Sequence, residues 1–225
     1  GDLARQASDR GATVAVLDSG FQHRRLERDL EILAISADFF TNRLRLPAGP
    51  FRERWTEIGR ADAVIVVRRT ASVQTASHLA TVLSHTFPGV HIALACIIPG
   101  SIAPVSEAAH AATVPSPHLA VAGVMWPDSF FHAVRQLGLH PDNWLALSDH
   151  AVLDDMTIAT IVELADSGGV VCTGKDAVKL VAALPITVPV WQVVETVVWE
   201  TGGMDLLDAA THVAEMGMER RTRAG

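Results

Sequence analysis

Short apolar runs alternate with stretches of helical periodicity along most of the chain. The apolar runs predict strands at Thr13–Leu17, Leu30–Ile35, Ala63–Val67, Val90–Ile97, Leu119–Gly123, Val170–Thr173 and Val188–Val194. The periodic stretches predict helices around Arg54–Gly59, Ser72–His85, Pro127–Leu137, Thr157–Ser167 and Asp176–Ala183. Strands and helices in alternation are typical of an α/β fold with a mostly parallel sheet flanked by helices.

The first elements predict a chain that lacks its own beginning. Residues 2–10 have the pattern of a polar-faced helix that Gly11 ends, and no initiator methionine precedes it. The strand that follows, Thr13–Leu17, is apolar on both faces, which is typical of a central strand in a parallel sheet. When a chain starts with a helix that leads directly into a central strand, we expect further elements of the same sheet to precede that helix.

A segment rich in proline, serine and alanine, residues 99–117, is the best candidate for a linker or a long surface loop. It divides the chain into two predicted parts, a core domain over residues 1–98 and a smaller α/β subdomain over residues 118–225. The last eight residues, MERRTRAG, are polar and predict a frayed tail.

The composition is that of a globular protein, with 49% hydrophobic and 19% charged residues. The formal net charge of −7 gives no general argument for nucleic-acid binding, and we expect none. Cys96 and Cys172 lie in apolar runs, so we expect buried free thiols in a reducing compartment. No run approaches the roughly 18 to 20 apolar residues of a membrane-spanning helix.

The stretch VAVLDSGFQHRR, residues 14–25, presents several polar groups directly after the first predicted strand. Asp18 ends that strand, where open α/β sheets bind ligands and where a carboxylate can hold a metal ion or act as a general base. The alternative is an aspartate that only caps the next turn. Gly20 permits a sharp turn, and Gln22 and His23 then supply hydrogen-bonding groups beside the carboxylate.

Positive charge follows these residues and suits a substrate that bears phosphate. The arginines concerned are Arg24, Arg25 and Arg28. The alternative is a solvated face in which the arginines pair with neighbouring acids, and we prefer this alternative for Arg28. Those acids are Glu27, Asp29 and Glu31.

A second cluster, NRLRLPAGPFRERW, covers residues 42–55 and combines a stiff proline–glycine–proline turn with four guanidinium groups. The four arginines are Arg43, Arg45, Arg52 and Arg54, and Glu53 is the single acid among them. A rigid loop of this kind suits recognition of phosphate or of a polar sugar headgroup. A helix amino terminus that begins at Pro50 is the alternative.

Five motifs occur in an order that resembles the tetraacyldisaccharide 4′-kinase family, the lipid A 4′-kinases. They are DSGFQHRRLERDLEI, RLRLPAGPFRE followed by RADAVIV, GVMWPDSFFHAVRQLGL, SDH and TGKDAVKL. The resemblance runs over about residues 1–200 and implies a P-loop kinase-like core. It also implies transfer of the γ-phosphate of ATP to the 4′-hydroxyl of a tetraacylated glucosamine disaccharide 1-phosphate.

The resemblance implies a role for individual residues, with ATP and Mg²⁺ as cofactors. Asp18 would belong to the magnesium and nucleotide side, and His150 would assist the catalytic aspartate. Lys175 and Asp176 would lie near the nucleotide. The residues that would face the lipid headgroup are Gln22, His23, Arg52 and Glu53. The implied partners are the lipid A disaccharide precursor and the cytoplasmic face of the inner membrane of a Gram-negative bacterium.

The chain departs from the family pattern at several motifs. Ser19 stands where the family usually has a second aspartate, and Met125 and Trp126 replace a small residue and an amide. Ala151 and Gly174 alter two further motifs. No G-x-x-x-x-G-K-[ST] phosphate loop occurs in the sequence. The resemblance implies that this loop, a further catalytic aspartate and a membrane-docking helix precede residue 1, so that the chain is a fragment.

Two other functions stay open at this point. The motif changes fit a degenerate paralogue that binds a lipid headgroup or a protein without turnover. A phosphohydrolase with Asp18 as nucleophile is a third class, but it lacks the second aspartate two residues on, because position 20 is glycine. Trp191 and Trp199 lie in apolar runs and are expected in the core.

Overall fold

The computed structural model describes residues 2–40, 44, 46–49, 51–112, 115–148 and 151–224. Within these residues the strands are β1 Ile32–Ser36, β2 Ala63–Arg68, β3 His91–Pro104, β4 Leu119–Ala122, β5 Asn143–Ala146, β6 Val170–Thr173 and β7 Val190–Thr201. The α-helices are α1 Asp2–Asp9, α2 Val73–Thr86, α3 Glu107–Ala111, α4 Pro127–Gln136, α5 Asp155–Ala165, α6 Gly174–Ala183 and α7 Gly203–Ala224. Two 3₁₀ helices cover Gly20–Gln22 and Trp55–Arg60.

The strands form a seven-stranded sheet in the order β1-β2-β3-β7-β6-β4-β5. The pairs β1–β2, β2–β3, β4–β5, β4–β6 and β6–β7 are all parallel. Ala63 of β2, for example, lies opposite Ile32 of β1 on one side and His91 of β3 on the other. The mostly parallel α/β sheet that the sequence predicts is therefore confirmed.

The chain divides into two compact units. Unit one comprises residues 1–96 and 198–225, and unit two comprises residues 97–197. This division differs from the predicted one, which places residues 198–225 with the C-terminal part. The difference arises because the final segment packs within unit one. His91 Nε2, for example, lies 2.7 Å from the carbonyl oxygen of Gly202.

An aromatic cluster holds the 3₁₀ helix Trp55–Arg60 in unit one. The Trp55 ring centre lies 5.8 Å from that of Phe40, 5.5 Å from Phe51 and 5.9 Å from Phe87. All four rings pack against a buried aliphatic core. The fully or largely buried members of that core include Ile35, Ile58, Val64, Val66, Leu83 and Leu94. The helix predicted at this point is therefore present, in 3₁₀ form.

The predicted strand Thr13–Leu17 is wrong. Residues 14–17 have no regular secondary structure, and the side chain of Val16 is 91% exposed. A strand that is apolar on both faces is stable only when it pairs with neighbours and is covered on both sides. Among the described residues no strand pairs with this segment, so the apolar pattern alone does not produce a strand.

The predicted frayed tail is also wrong, because α7 continues to Ala224. The start of this C-terminal segment is anchored by an ion pair within unit one. Arg68 Nε donates to both carboxylate oxygens of Glu200, at 3.1 and 3.0 Å, and its Nη2 donates to Oε1 as well. These hydrogen bonds hold the pKa of the Glu200 carboxyl below its usual range.

Unit two has its own core on both sides of β4 and β6, whose side chains are almost all buried. Trp191 and Cys172 lie in it, as the sequence predicts, and burial raises the pKa of the Cys172 thiol. Cys96 is likewise a buried free thiol, so the predicted burial of both cysteines is confirmed. Trp199 is partly buried and packs against a small cluster in unit one.

The segment predicted as a linker carries regular structure in part. Strand β3 extends to Pro104, and α3 follows it with Ser106 as its amino-terminal cap. The buried Ser106 hydroxyl donates to the Val188 carbonyl at 3.2 Å and accepts from the Val190 N–H at 2.9 Å. This one side chain therefore ties the segment to the start of β7. No helix within the described residues has the length and apolar character to cross a membrane.

Candidate functional site

Three motifs of the sequence analysis lie at the carboxyl ends of neighbouring strands in unit two. Gly123 directly follows β4, residues 147 and 148 follow β5, and Thr173 ends β6. Open α/β sheets bind their ligands at this edge, because the strand ends and the helix amino termini meet there. His150, the predicted catalytic residue of this region, lies outside the described residues, as does Asp149.

Asp176 is a buried residue at this edge of the sheet, with only 3% of its surface exposed. Its Oδ2 accepts a hydrogen bond from the Thr173 hydroxyl at 2.6 Å and another from the Gly123 N–H at 2.9 Å. The Thr173 hydroxyl in turn accepts from the Asp176 N–H at 3.2 Å. This reciprocal cap begins α6 and joins it to the turn after β4.

Glycine at position 123 leaves room for this contact in its present geometry. A Cβ at this position would lie 2.7 Å from Asp176 Oδ1, well inside the van der Waals distance. Sequence reasoning overlooked Gly123 and Thr173. The T-x-x-D spacing of a capping box is the signal that identifies Thr173.

The predicted nucleotide-side residues therefore differ in their surroundings. Lys175 is exposed at the start of α6. The Asp176 carboxylate is buried and bound within the fold, and Lys179, one turn further on, donates to the Ala151 carbonyl at 3.3 Å. Beside Asp176 lies a cavity of about 10 Å³, enough for a single water molecule but not for a phosphate. The cavity is lined by Gly123, Leu147, Ala151, Leu153, Asp176, Lys179 and Leu180.

Asp18, the predicted metal ligand, lies exposed in a turn of unit one rather than at the end of a buried strand. That part of the prediction is corrected, because residues 14–17 pair with no strand among those described. The Ser19 hydroxyl donates to Asp18 Oδ1 at 3.2 Å. Ser19 itself has a left-handed backbone with φ of 55°. Residues other than glycine, asparagine and aspartate rarely adopt this conformation.

No cluster of three or more histidine, cysteine, aspartate or glutamate side chains suited to a metal ion occurs among the described residues. Magnesium, however, is commonly held by one or two carboxylates together with substrate phosphates and water. The exposed carboxylate of Asp18 fits a site of that shared kind. It does not form a metal site by itself.

The side chains predicted to face the headgroup lie on two neighbouring segments of unit one. Gln22 and His23 are exposed at the end of the first 3₁₀ helix. Arg52 is exposed and lines an open depression of about 370 Å³. The other residues of that depression are Leu44, Leu46, Pro47 and Ala48. Arg43 and Arg45 of the same loop lie outside the described residues.

Glu53 is engaged by two arginines. Its Oε2 lies 2.8 Å from Arg60 Nη2 and 3.1 Å from Arg24 Nη2. Arg24 also contacts Glu57, at 2.7 Å. The predicted headgroup acid is therefore part of an ion-pair network, which sequence spacing did not indicate.

Arg28 pairs with an acid, as the sequence analysis preferred, but its side chain is only 14% exposed and does not lie on a solvated face. It pairs with Glu31 at 2.5 Å and donates to the carbonyl oxygens of Gly20 and His23 at 3.0 and 2.9 Å. These bonds close the turn that carries Gln22 and His23. Because Glu31 directly precedes β1, the turn lies on the amino-terminal side of that strand.

Asp38 occupies the opposite, carboxyl-terminal side of β1, and the sequence analysis overlooked it. Its Oδ1 accepts from the N–H groups of Thr70 and Ala71, both at 2.6 Å, and from the Thr70 hydroxyl at 2.8 Å. Its Oδ2 accepts from the Arg69 N–H at 2.9 Å. Burial alone would raise the pKa of Asp38, but these hydrogen bonds outweigh it and the pKa is lowered.

The low pKa of Asp38 predicts a pH-dependent contribution to stability. The carboxylate stabilises the fold at pH values above its ordinary pKa of 3.8, and this contribution is lost as the pH falls through the lower pKa of the folded state. We expect Asp38→Asn to cost about 2 kcal/mol of unfolding free energy at neutral pH, because the amide cannot accept all four hydrogen bonds.

The measurement is urea unfolding of both proteins between pH 7 and pH 2.5. The difference in unfolding free energy should stay constant down to about pH 5 and shrink below about pH 4. A difference that does not vary with pH would contradict the assignment.

The comparisons with known proteins agree with the motifs. A profile of the family described as Tetraacyldisaccharide-1-P 4'-kinase (LpxK) matches residues 2–211. The chain is 35% identical over 184 residues to the tetraacyldisaccharide 4'-kinase of Geobacter sulfurreducens. This alignment covers 80% of the present chain and 50% of that protein. The match therefore spans about half the length of this curated relative.

A solved structure has a similar fold. It is the crystal structure of the "apo" form of LpxK from Aquifex aeolicus in complex with ATP, with a TM-score of 0.57 and 22% sequence identity. The match covers 86% of this chain and 55% of that one. At this identity the likeness supports the shared α/β fold. Because the family profile covers nearly the whole chain, the chain belongs to the tetraacyldisaccharide-1-phosphate 4'-kinase family.

Proposed function

We propose that the complete gene product is an ATP-dependent kinase of lipid A biosynthesis. It transfers the γ-phosphate of ATP to the 4′-hydroxyl of a tetraacyl glucosamine disaccharide 1-phosphate. The observation that carries the proposal is the family match over residues 2–211. The complex of the Aquifex aeolicus protein with ATP supports ATP as the phosphate donor here.

The two groups of residues described above, one in unit two and one in unit one, have different roles in this proposal. Lys175, at the start of α6 in unit two, lies near the nucleotide, and His150 assists the catalytic aspartate. Asp176 fixes the turn after β4 relative to α6, which its two hydrogen bonds to Thr173 and Gly123 support. In phosphoryl transfer such positioning matters greatly, because catalysis depends mainly on alignment and on stabilising charge.

In unit one, Asp18 contributes a carboxylate to the magnesium ion, which supplies positive charge to the phosphates. The headgroup is recognised from the two exposed segments described above. The residues that face it are Gln22, His23, Arg52 and Glu53. A guanidinium such as that of Arg52 suits a phosphate, because its planar donors match the phosphate oxygens.

The site of action is the cytoplasmic face of the inner membrane of a Gram-negative bacterium, where the lipid precursor is presented. Leu44 and Leu46 support contact with a lipid surface, since they are 56% and 61% exposed beside Arg52. An apolar edge next to a cation is the arrangement expected for a lipid whose headgroup carries phosphate.

A second candidate is a non-catalytic protein that binds the headgroup without turnover. Ser19 favours it, because the serine leaves a magnesium site one anionic ligand short. Trp126 and Met125 favour it as well. They are 52% and 70% exposed at the carboxyl end of β4, where the family usually has a small residue and an amide.

Phosphate transfer to the lipid separates the two candidates. The complete gene product is incubated with magnesium, radiolabelled ATP and the tetraacyl disaccharide 1-phosphate in detergent micelles, and the product is resolved by thin-layer chromatography. We expect a radiolabelled lipid product that forms only when both the enzyme and the lipid substrate are present. The chain of residues 1–225 alone should give none, because its sequence contains no phosphate loop. Lipid binding by the complete product without labelling would support the non-catalytic candidate.

A further inference from the structure

Arg60 contacts both segments that carry the proposed headgroup residues. Its Nη2 donates to the Phe21 carbonyl at 3.3 Å, and the centre of its guanidinium lies 4.2 Å from the centre of the Phe21 ring. The same Nη2 donates to Glu53 at 2.8 Å, and its Nε lies 3.1 Å from Glu57. One guanidinium therefore bridges the turn of residues 18–23 and the 3₁₀ helix that follows Glu53.

The burial of these groups makes the bridge more than a surface ion pair. The side chain of Arg60 is 29% exposed, whereas that of Arg24, which contacts the same two acids, is 55% exposed. Exposed pairs contribute little, because solvent screens them and the side chains lose entropy. Arg24 links the two segments through its ion pairs with Glu53 and Glu57, whereas Arg60 links them through its contacts with Phe21. The less exposed Arg60 is held by more contacts, so we expect its removal to loosen the turn.

An arginine is required for this combination of contacts. Its planar fork can donate to a carboxylate and a carbonyl while its face stacks on an aromatic ring. A lysine in the same place keeps the charge but presents a single nitrogen. Arg60 is the last residue of the 3₁₀ helix Trp55–Arg60, three positions before the start of β2.

The residues next to the Arg60 contacts in the sequence are the proposed headgroup residues. Gln22 and His23 directly follow Phe21, and Arg52 directly precedes Glu53. We infer that Arg60 is a positioning residue for substrate recognition, holding His23 and Arg52 so that both face the same disaccharide headgroup. The inference rests on the proposed function for the identity of that headgroup, and on the Arg60 contacts for the positioning.

The kinetic test uses Arg60→Ala in the complete gene product. We expect the KM for the lipid to rise roughly ten- to hundredfold, the scale of misplaced binding groups, with the KM for ATP unchanged. Arg60→Lys should give a smaller rise and guards against a failure of the alanine variant to fold. Equal rises in both KM values, or no rise in folded protein, would overturn the inference.

Arg135→Ala is the matched control. Arg135 lies on α4 in unit two with its guanidinium 4.3 Å from the centre of the Trp144 ring, so its removal deletes a similar stacking contact away from both segments. Melting curves of all variants show how much stability each loses. A variant at Arg135 that loses stability should keep the lipid KM of the wild type.

Hydrogen exchange provides a readout that does not require activity. In Arg60→Ala the amides of residues 20–26 should exchange at least tenfold faster than in the wild type, whereas those of α2 should not change. Arg135→Ala should leave both regions unaltered. Unchanged exchange in residues 20–26 would overturn the positioning role. A wild-type protein without phosphate transfer would instead contradict the proposed function, and hydrogen exchange would still decide whether Arg60 holds the turn.

Discussion

Replacing Asp176 by alanine is expected to lower the unfolding free energy of the protein by about 3 kcal/mol. The change removes the acceptor for the partly buried Thr173 hydroxyl and for the buried Gly123 N–H, so both donors lose their partner. A loss of this size lowers the melting temperature by roughly 6 to 12 °C in a chain of this length. Thermal unfolding followed by circular dichroism measures it.

Two variants show whether the hydrogen bonds are responsible. Both donors contact the same oxygen, Oδ2, so Asp176→Asn can keep both bonds and should cost less than half as much as the alanine variant. Asp142→Ala removes an exposed aspartate of the same unit and should change the free energy by no more than about 0.5 kcal/mol. If the alanine variant at Asp176 were as stable as the wild type, Asp176 would not stabilise the fold.

The parts of the fold that the sequence predicted well carry their signal within a few neighbouring residues. Helix α2 begins after Ser72, whose hydroxyl accepts from the Thr75 N–H at 3.1 Å, and α4 begins with Pro127 in its first turn. Such caps fix a helix start locally. The short apolar runs of β4 and β6 likewise became strands, because each is covered on both faces.

Two of the failures have a common cause, which is that the secondary structure there depended on distant residues. The run at 13–17 has a strand pattern, but a strand forms only where a neighbour pairs with it. Conversely, β5 is only four residues long and mixed in character, and its pairing with β4 makes it a strand. The long helix α7 was overlooked because its glycines and charged residues hid a sequence otherwise rich in helix-forming side chains.

The candidate site was predicted in its residue types better than in its contacts. Gln22, His23 and Arg52 are exposed on two segments of unit one, but the relative positions of these segments depend on pairs far apart in the chain. Arg60 contacts Phe21 across 39 positions, and Arg68 contacts Glu200 across 132. No local spacing encodes such pairs, so the bridge by Arg60 and the role of Glu53 within it required the folded structure.

Asp18→Ala is expected to lower the kcat of the complete gene product by about 10² to 10³-fold at saturating magnesium, ATP and lipid. In the proposed site this substitution removes the carboxylate that would hold the magnesium ion at the phosphates, and removal of one such electrostatic contact commonly has an effect of this size. Asp18 is exposed and lies in a turn, so the substitution should leave the melting temperature nearly unchanged. Asp18→Asn, which keeps the shape without the charge, should be almost as inactive. Asp9→Ala removes another exposed aspartate and should keep full activity.

Ser19→Asp tests whether the site lacks a metal ligand. Aspartate tolerates the left-handed backbone that Ser19 adopts, so the second carboxylate can be introduced beside Asp18 without a change of the turn. Two adjacent carboxylates repel each other unless a cation binds between them. The variant should therefore reach half-maximal rate at a lower magnesium concentration than the wild type, with an unchanged KM for the lipid. If Asp18 only caps the turn, Asp18→Ala will retain its kcat and Ser19→Asp will leave the magnesium dependence as it was, and that pair of results would remove Asp18 from the metal site.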